Sequence, residues 1–88
     1  MSKTKDKVDN FSKVVVENAA EELTKLILNG TEKVFDSDAT YLINKHGAET
    51  LMLLGCKVVK CGIRTYIQLP KNYITDAKIE KAILNMSK

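Results

Sequence analysis

Residues 56–69 constrain the fold most, because apolar and polar side chains alternate through them on both sides of a glycine. A period of two is typical of a half-buried antiparallel ribbon, since successive side chains of a strand point to opposite faces. The predicted register has Cys61 and Gly62 in the loop and three pairs on an apolar face: Val58 with Thr65, Cys56 with Ile67, and Leu54 with Leu69. The other face carries a basic set with one aromatic ring: Lys57, Val59, Arg64, Tyr66 and Gln68. We therefore expect a hairpin with one face on the core and one toward solvent.

The length of 88 residues fits one domain. Residues 1–10 are charged and lack apolar periodicity, so we expect a disordered basic and polar tail before a single domain at 11–88. That tail has no apolar segment of the kind a secretory signal needs. No apolar run approaches the roughly 18 residues of a membrane span, so we expect no membrane partner.

The two cysteines do not suggest a disulfide framework. Cys56 and Cys61 lie five positions apart on one predicted strand, so they point to opposite faces and do not bridge easily. The single histidine, His46, cannot complete a zinc site with them. We expect Cys56 to be a core thiol and Cys61 a turn residue, with no metal and no cofactor. A reducing, cytoplasmic setting fits this cysteine usage best.

Apolar residues at three- and four-residue spacing predict four helices. The first covers 11–29 and ends at Gly30, the second covers 38–46, and the third covers 48–54 and ends at Gly55. The fourth follows Thr75 as its N-cap, and residues 32–35 form an edge or connecting strand. The order is helix, short strand, helix, helix, β-hairpin, helix, which indicates an α+β fold. This order resembles that of a winged-helix domain over residues 11–69, as an architecture and not as one family.

Catalytic motifs are scarce in the sequence. The four glycines are isolated, and neither G-x-S-x-G nor H-E-x-x-H occurs. Asp36 and Asp38 are close in sequence, but helix capping explains them better than catalysis does. His46 ends an apolar helical stripe and is interpreted as a structural or partly exposed residue. A protein without enzymatic activity and without a small-molecule substrate is therefore expected.

Charge is distributed unevenly along the chain. Residues 14–54 carry a net charge of −4 and residues 55–88 a net charge of +5, which favours a polyanionic partner. The predicted binding residues are Lys57, Lys60, Arg64, Tyr66, Gln68 and Lys71. Such a ribbon would contact phosphates weakly and without reading bases. An acidic protein surface as the partner, or an ordinary solvated sheet face, would explain the same residues.

The predicted third helix is poorly suited to reading DNA, although it is the second helix of a candidate helix-turn-helix at 38–54. It contains no Arg, Lys, Asn or Gln, and Glu49 would repel phosphates. Its apolar run exceeds what one face of a short helix buries, which predicts a partner or homodimer interface at Leu51, Met52, Leu53 and Leu54. Two hypotheses follow. One is a winged-helix-like nucleic-acid-binding module, and the other is a protein-interaction module such as a small phage- or plasmid-type accessory or inhibitor protein.

Overall fold

The structure, a computed structural model, describes the backbone of residues 3–86 and the side chains of residues 13–86. Within this range the chain forms four helices and a three-stranded antiparallel sheet, which confirms the predicted α+β class. The elements are α1 (Lys3–Leu28), β1 (Lys33–Phe35), α2 (Asp36–His46), α3 (Ala48–Leu53), β2 (Lys57–Cys61), β3 (Arg64–Gln68) and α4 (Asp76–Met86). None of the described helices is both long and apolar enough to cross a bilayer.

Helix α1 starts at Lys3, so residues 3–10 are helical where we expected a disordered tail. The first 29 residues contain neither glycine nor proline, so no residue there disfavours helical backbone strongly. The helix ends as predicted at Gly30, whose φ of +83° suits glycine. The Gly30 N–H donates to the Ile27 carbonyl at 3.0 Å, and the Thr31 N–H donates to the Leu26 carbonyl at 2.8 Å. This pair of bonds is the Schellman motif, which satisfies carbonyls at the helix end.

The sheet has the strand order β1-β3-β2, with β3 in the centre. Strand β1 is an edge strand, which was one of the two alternatives predicted for residues 32–35. In its pairing with β3, Val34 lies opposite Ile67. Helix α2 packs against β1 and β3, and α3 packs against β2, so these two helices cover one face of the sheet. The core lies between this inner face and the helices; its largest fully buried side chains are Val16, Leu23, Leu51, Leu54 and Ile67.

The loop of the hairpin is Gly62 and Ile63, so the predicted loop of Cys61 and Gly62 is wrong by one residue. Cys61 ends β2 and lies opposite Arg64. Gly62 takes a φ of +61°, whereas Ile63 keeps a negative φ. A positive φ at the first loop position only is typical of a type II′ turn, in which glycine is favoured at that position.

The predicted cross-strand register is therefore wrong by two residues. Val58 lies opposite Ile67, and Thr65 lies opposite Lys60. A shift of two residues keeps every side chain on its face, because strands have a period of two. The inner face accordingly retains the predicted apolar residues, and Cys56 and Ile67 are both buried.

Helix α3 ends at Leu53, so Leu54 precedes β2 and is not paired with Leu69 in the sheet. Leu51 and Leu54 are buried in the core, which corrects the expectation that they serve a partner interface. Met52 is 59% exposed and Leu53 is half-buried. The helical period separates the run into buried and exposed positions, so only Met52 and part of Leu53 remain available on this helix.

Helix α4 has the predicted N-cap. The Lys78 N–H donates to Thr75 Oγ1 at 3.3 Å, one turn into the helix. Helix α4 packs against α1 and α3, and Ala82 is buried at that contact surface. This helix therefore completes the helical layer and lies away from the sheet.

Candidate functional site

The outer face of the sheet, opposite α2 and α3, gathers the most distinctive exposed side chains of the described chain. The strand register arranges them in three cross-strand rows: Lys33–Gln68–Lys57, Phe35–Tyr66–Val59 and Arg64–Cys61. These eight residues are called the outer face below. The first row is polar with a lysine at each end, and the last row begins with Arg64. The central row between them contains two aromatic residues and a valine.

The central row contains two neighbouring rings. The centroids of Phe35 and Tyr66 are 6.0 Å apart with their planes tilted by 39°, a favourable aromatic arrangement. Phe35 is 50% exposed and Tyr66 is half-buried. The Lys33 Nζ lies 6.0 Å from the Tyr66 centroid. An exposed cation–π contact contributes only about 0.5–1 kcal/mol, so this ammonium is loosely held.

The row that contains Gln68 places one lysine on each edge strand. Because neighbouring strands lie about 4.8 Å apart, the backbones of Lys33 and Lys57 are separated by roughly 10 Å. Both lysines are exposed. The two ammonium groups can therefore contact different phosphates of one polyanion.

Arg64 adds a third cation at the loop end of the outer face. Its Nη2 atom lies 3.8 Å from Asp36 Oδ2, and both side chains are largely exposed. An exposed ion pair of this kind contributes about 0–1 kcal/mol, so a phosphate can compete for Arg64. Asp36 has a φ of +48°, a left-handed backbone conformation that aspartate tolerates better than most residues.

A small recess of about 220 Å³ adjoins the rings, where β1 ends and β3 continues. Its lining is mostly apolar and comes from Phe35, Cys61, Arg64, Thr65 and Tyr66. The recess therefore lies beside both rings of the central row.

The structure brings together four of the six predicted binding residues on the outer face: Lys57, Arg64, Tyr66 and Gln68. Lys60 is exposed but lies opposite Thr65, so it belongs to the other side of the hairpin. Lys71 is exposed beyond Pro70, at the end of the sheet away from the loop. Neither Lys60 nor Lys71 therefore belongs to the outer face.

Lys33 and Phe35 are the outer-face residues of β1, and the sequence prediction missed both. Burial alternates around Val34, which is buried between two exposed neighbours, but the sequence does not show this alternation because Val34 and Phe35 are both apolar. Three residues show a period of two only weakly, and their position beside β3 depends on a pairing distant in sequence. The sequence alone therefore did not connect them to the hairpin.

A second polar cluster joins α1 to the end of α2. The Glu22 carboxylate accepts hydrogen bonds from the Lys45 ammonium at 2.5 Å and from His46 Nε2. Burial raises the pKa of Glu22, but these hydrogen bonds outweigh it and hold the pKa below its usual value. The hydrogen bond to Glu22 likewise raises the pKa of Lys45. The His46 side chain is only 3% exposed, so its role here is to tie two helices together.

The thiols differ in environment. Burial raises the pKa of Cys56 to about 12, which leaves that thiol protonated and unreactive. Cys61 is exposed on the outer face and is not a turn residue, contrary to the prediction. Among residues with described side chains, no group of three or more His, Cys, Asp or Glu can hold a metal ion.

No protein-family model matches this sequence, and no curated protein or solved structure matches it significantly. Function is therefore inferred from the side chains of the outer face.

Proposed function

We propose that this protein is a small, non-enzymatic nucleic-acid-binding module that contacts phosphates through the outer face and its β-hairpin. The observation that carries the proposal is the group of three exposed cations, Lys33, Lys57 and Arg64, around a row that contains the half-exposed ring of Phe35 and the half-buried ring of Tyr66. Lysine and arginine neutralise phosphates, and aromatic rings accept bases by stacking. The winged-helix-like order of elements supports the same class of protein, with the hairpin and not α3 as the contact.

Helix α3 offers little to a duplex groove. It has only six residues, and its exposed side chains are Glu49 and Met52. Base edges in the major groove are read by hydrogen-bonding side chains such as Arg, Asn and Gln, none of which α3 contains. The proposed binding is therefore directed at phosphates and carries little sequence preference.

The number of cations sets the expected salt dependence. Three phosphate contacts give a slope of log K against log salt of about −2.7 for duplex and about −2.1 for single-stranded DNA. Between 50 and 200 mM salt, affinity should then fall by about 40-fold and about 20-fold, respectively.

The test is a titration of fluorescently labelled oligonucleotides at several salt concentrations, with the double variant Lys33→Gln/Lys57→Gln. Two lost contacts should flatten the slope by about 1.4–1.8. The matched control, Lys25→Gln/Lys81→Gln, removes the same charge from exposed positions on α1 and α4 and should leave the slope nearly unchanged. Circular dichroism verifies that all variants are folded. Absence of binding at 50 mM salt, or equal effects of the two double variants, would refute the proposal.

A second candidate function is protein interaction or homodimerisation through α3. The observation in its favour is the 59% exposure of Met52 next to the half-buried Leu53. Sedimentation equilibrium of the protein and of Met52→Gln tests the homodimer. A monomer at all concentrations, with no change in the variant, argues against it.

A further inference from the structure

We infer that the outer face takes single-stranded nucleic acid, with an unpaired base stacked on Phe35 beside Tyr66. The inference rests on the proposed function and adds the class of nucleic acid to it. Phe35 is half exposed, its ring is 6.0 Å from that of Tyr66, and the recess adjoins both. This is a ready surface for one flat, aromatic ligand.

A duplex cannot stack a base on these rings, although its phosphates can contact the cations. Its bases are stacked on one another and present only their edges in the grooves. The two rings lie within the sheet face, on β1 and β3, and not on a protruding segment that enters a groove. Single strands expose the flat faces of their bases, which stack on aromatic side chains.

The cations are placed for a backbone that passes beside the rings. The row of Lys33 and Lys57 is two residues along the strands from the ring row, a distance of about 7 Å. A base on Phe35 therefore leaves its adjoining phosphates close to these lysines. On the other side of the ring row, Arg64 lines the recess, where a guanidinium can pair with a phosphate or stack on a base.

The Lys33 contact with Tyr66 does not prevent base stacking. An exposed cation–π contact corresponds to about two- to fivefold in an equilibrium constant. Stacking of a base on an aromatic side chain corresponds to about five- to 150-fold. A base can therefore displace the Lys33 ammonium, which then becomes available to a phosphate.

The experiment compares three 20-nucleotide probes by fluorescence anisotropy at 50 mM salt: single-stranded oligo-dT, a duplex, and an abasic strand with the same phosphates. The variants are Phe35→Leu and Tyr66→Leu, each of which keeps an apolar side chain on the sheet. Tyr73→Leu is the matched control, because it removes an aromatic residue that is 61% exposed outside the sheet. We expect single-stranded DNA to bind more tightly than the duplex or the abasic strand. Phe35→Leu should weaken single-strand binding by about five- to 150-fold but barely change abasic binding.

A spectroscopic readout reports stacking directly. The protein contains no tryptophan, so Phe35→Trp introduces a single emitting indole into the ring row. Oligo-dT should quench its emission, and the abasic strand should not.

The outcomes separate the two proposals. Equal affinity for oligo-dT and the abasic strand, or no effect of either leucine variant, overturns the stacking inference and leaves phosphate binding in place. Failure of all three probes to bind at 50 mM salt overturns the proposed function itself.

Discussion

Asp36 opposes the proposed activity, and its replacement gives a sensitive test of the outer face. Its carboxylate lies 3.8 Å from the Arg64 guanidinium, which it partly neutralises. Asp36→Asn removes the negative charge, and asparagine tolerates the φ of +48° as well as aspartate does. We therefore expect the variant to fold normally and to release Arg64 for a phosphate.

The expected magnitudes follow from the exposure of both side chains. An exposed ion pair contributes about 0–1 kcal/mol, and an acidic residue in the first turn of a helix about 0.3–1 kcal/mol. The free energy of unfolding should accordingly fall by about 1 kcal/mol. Because Arg64 is already one of the three cations counted for the wild type, the salt slope on single-stranded DNA should stay near about −2.1. The loss of competition by Asp36 should raise affinity at 50 mM salt by up to about fivefold, the equivalent of about 1 kcal/mol.

Anisotropy titrations at 50, 100 and 200 mM salt would measure the affinity and its salt slope, with urea unfolding to record stability. Asp76→Asn is the matched control, because it removes the same charge from the first turn of α4, which packs away from the sheet. Asp36→Asn should bind more tightly than the wild type at 50 mM salt, and Asp76→Asn should do so only slightly. Unchanged or weaker binding of Asp36→Asn at normal stability would show that Arg64 does not contact the ligand.

Three further predictions concern stability and thiol chemistry. Burial raises the pKa of Glu22, but the hydrogen bonds from Lys45 and His46 outweigh burial and hold the folded pKa below the usual 4.5. The stability that the Glu22 carboxylate contributes is therefore complete above pH 4.5 and is lost as pH falls through the folded pKa. Glu22→Gln should flatten this acid limb of a profile of unfolding midpoint against pH. Ile67→Ala, at a fully buried site, should cost about 2–5 kcal/mol in urea unfolding, whereas Ile63→Ala at the exposed loop should change stability by less than about 0.5 kcal/mol. A thiol reagent should modify Cys61 quickly in the native protein but Cys56 only after unfolding, because burial raises the pKa of Cys56 to about 12.

The hairpin shows which information a sequence pattern carries. Alternation assigned Lys57, Arg64 and Tyr66 to one face correctly. Within each strand the face of a residue depends only on whether its position is odd or even, and a two-residue loop of either placement puts odd positions of β2 on the same face as even positions of β3. Alternation did not determine the register, since a shift of two residues leaves both faces unchanged. The register depends on where Gly62 lies within the loop, and both positions of a two-residue turn accept glycine in some turn types.

The spacing of apolar residues does not predict contacts between residues that are distant in sequence. The spacing of apolar residues predicted α1 and α2 as helices, and Ala39 and Leu42, which are three positions apart on α2, are both buried. Nothing in that spacing indicated that Glu22 would accept hydrogen bonds from Lys45 and His46, which follow it by 23 and 24 residues. Such pairings depend on how two helices cross, which is determined by the packing of the whole core.

The charge of a sequence segment differs from the charge of the surface to which its residues contribute. The basic segment 55–88 contains seven cationic residues, yet Lys78 and Lys81 lie on α4 and Lys60 lies on the other side of the hairpin. Conversely, Lys33 comes from the acidic segment 14–54 and joins the outer face. If all seven cations of the basic segment contacted single-stranded DNA, the salt slope would approach about −5, whereas the three of the outer face predict about −2. A measured slope near −5 would mean that the contact extends well beyond the outer face, and a slope near −2 would match the arrangement of the three rows.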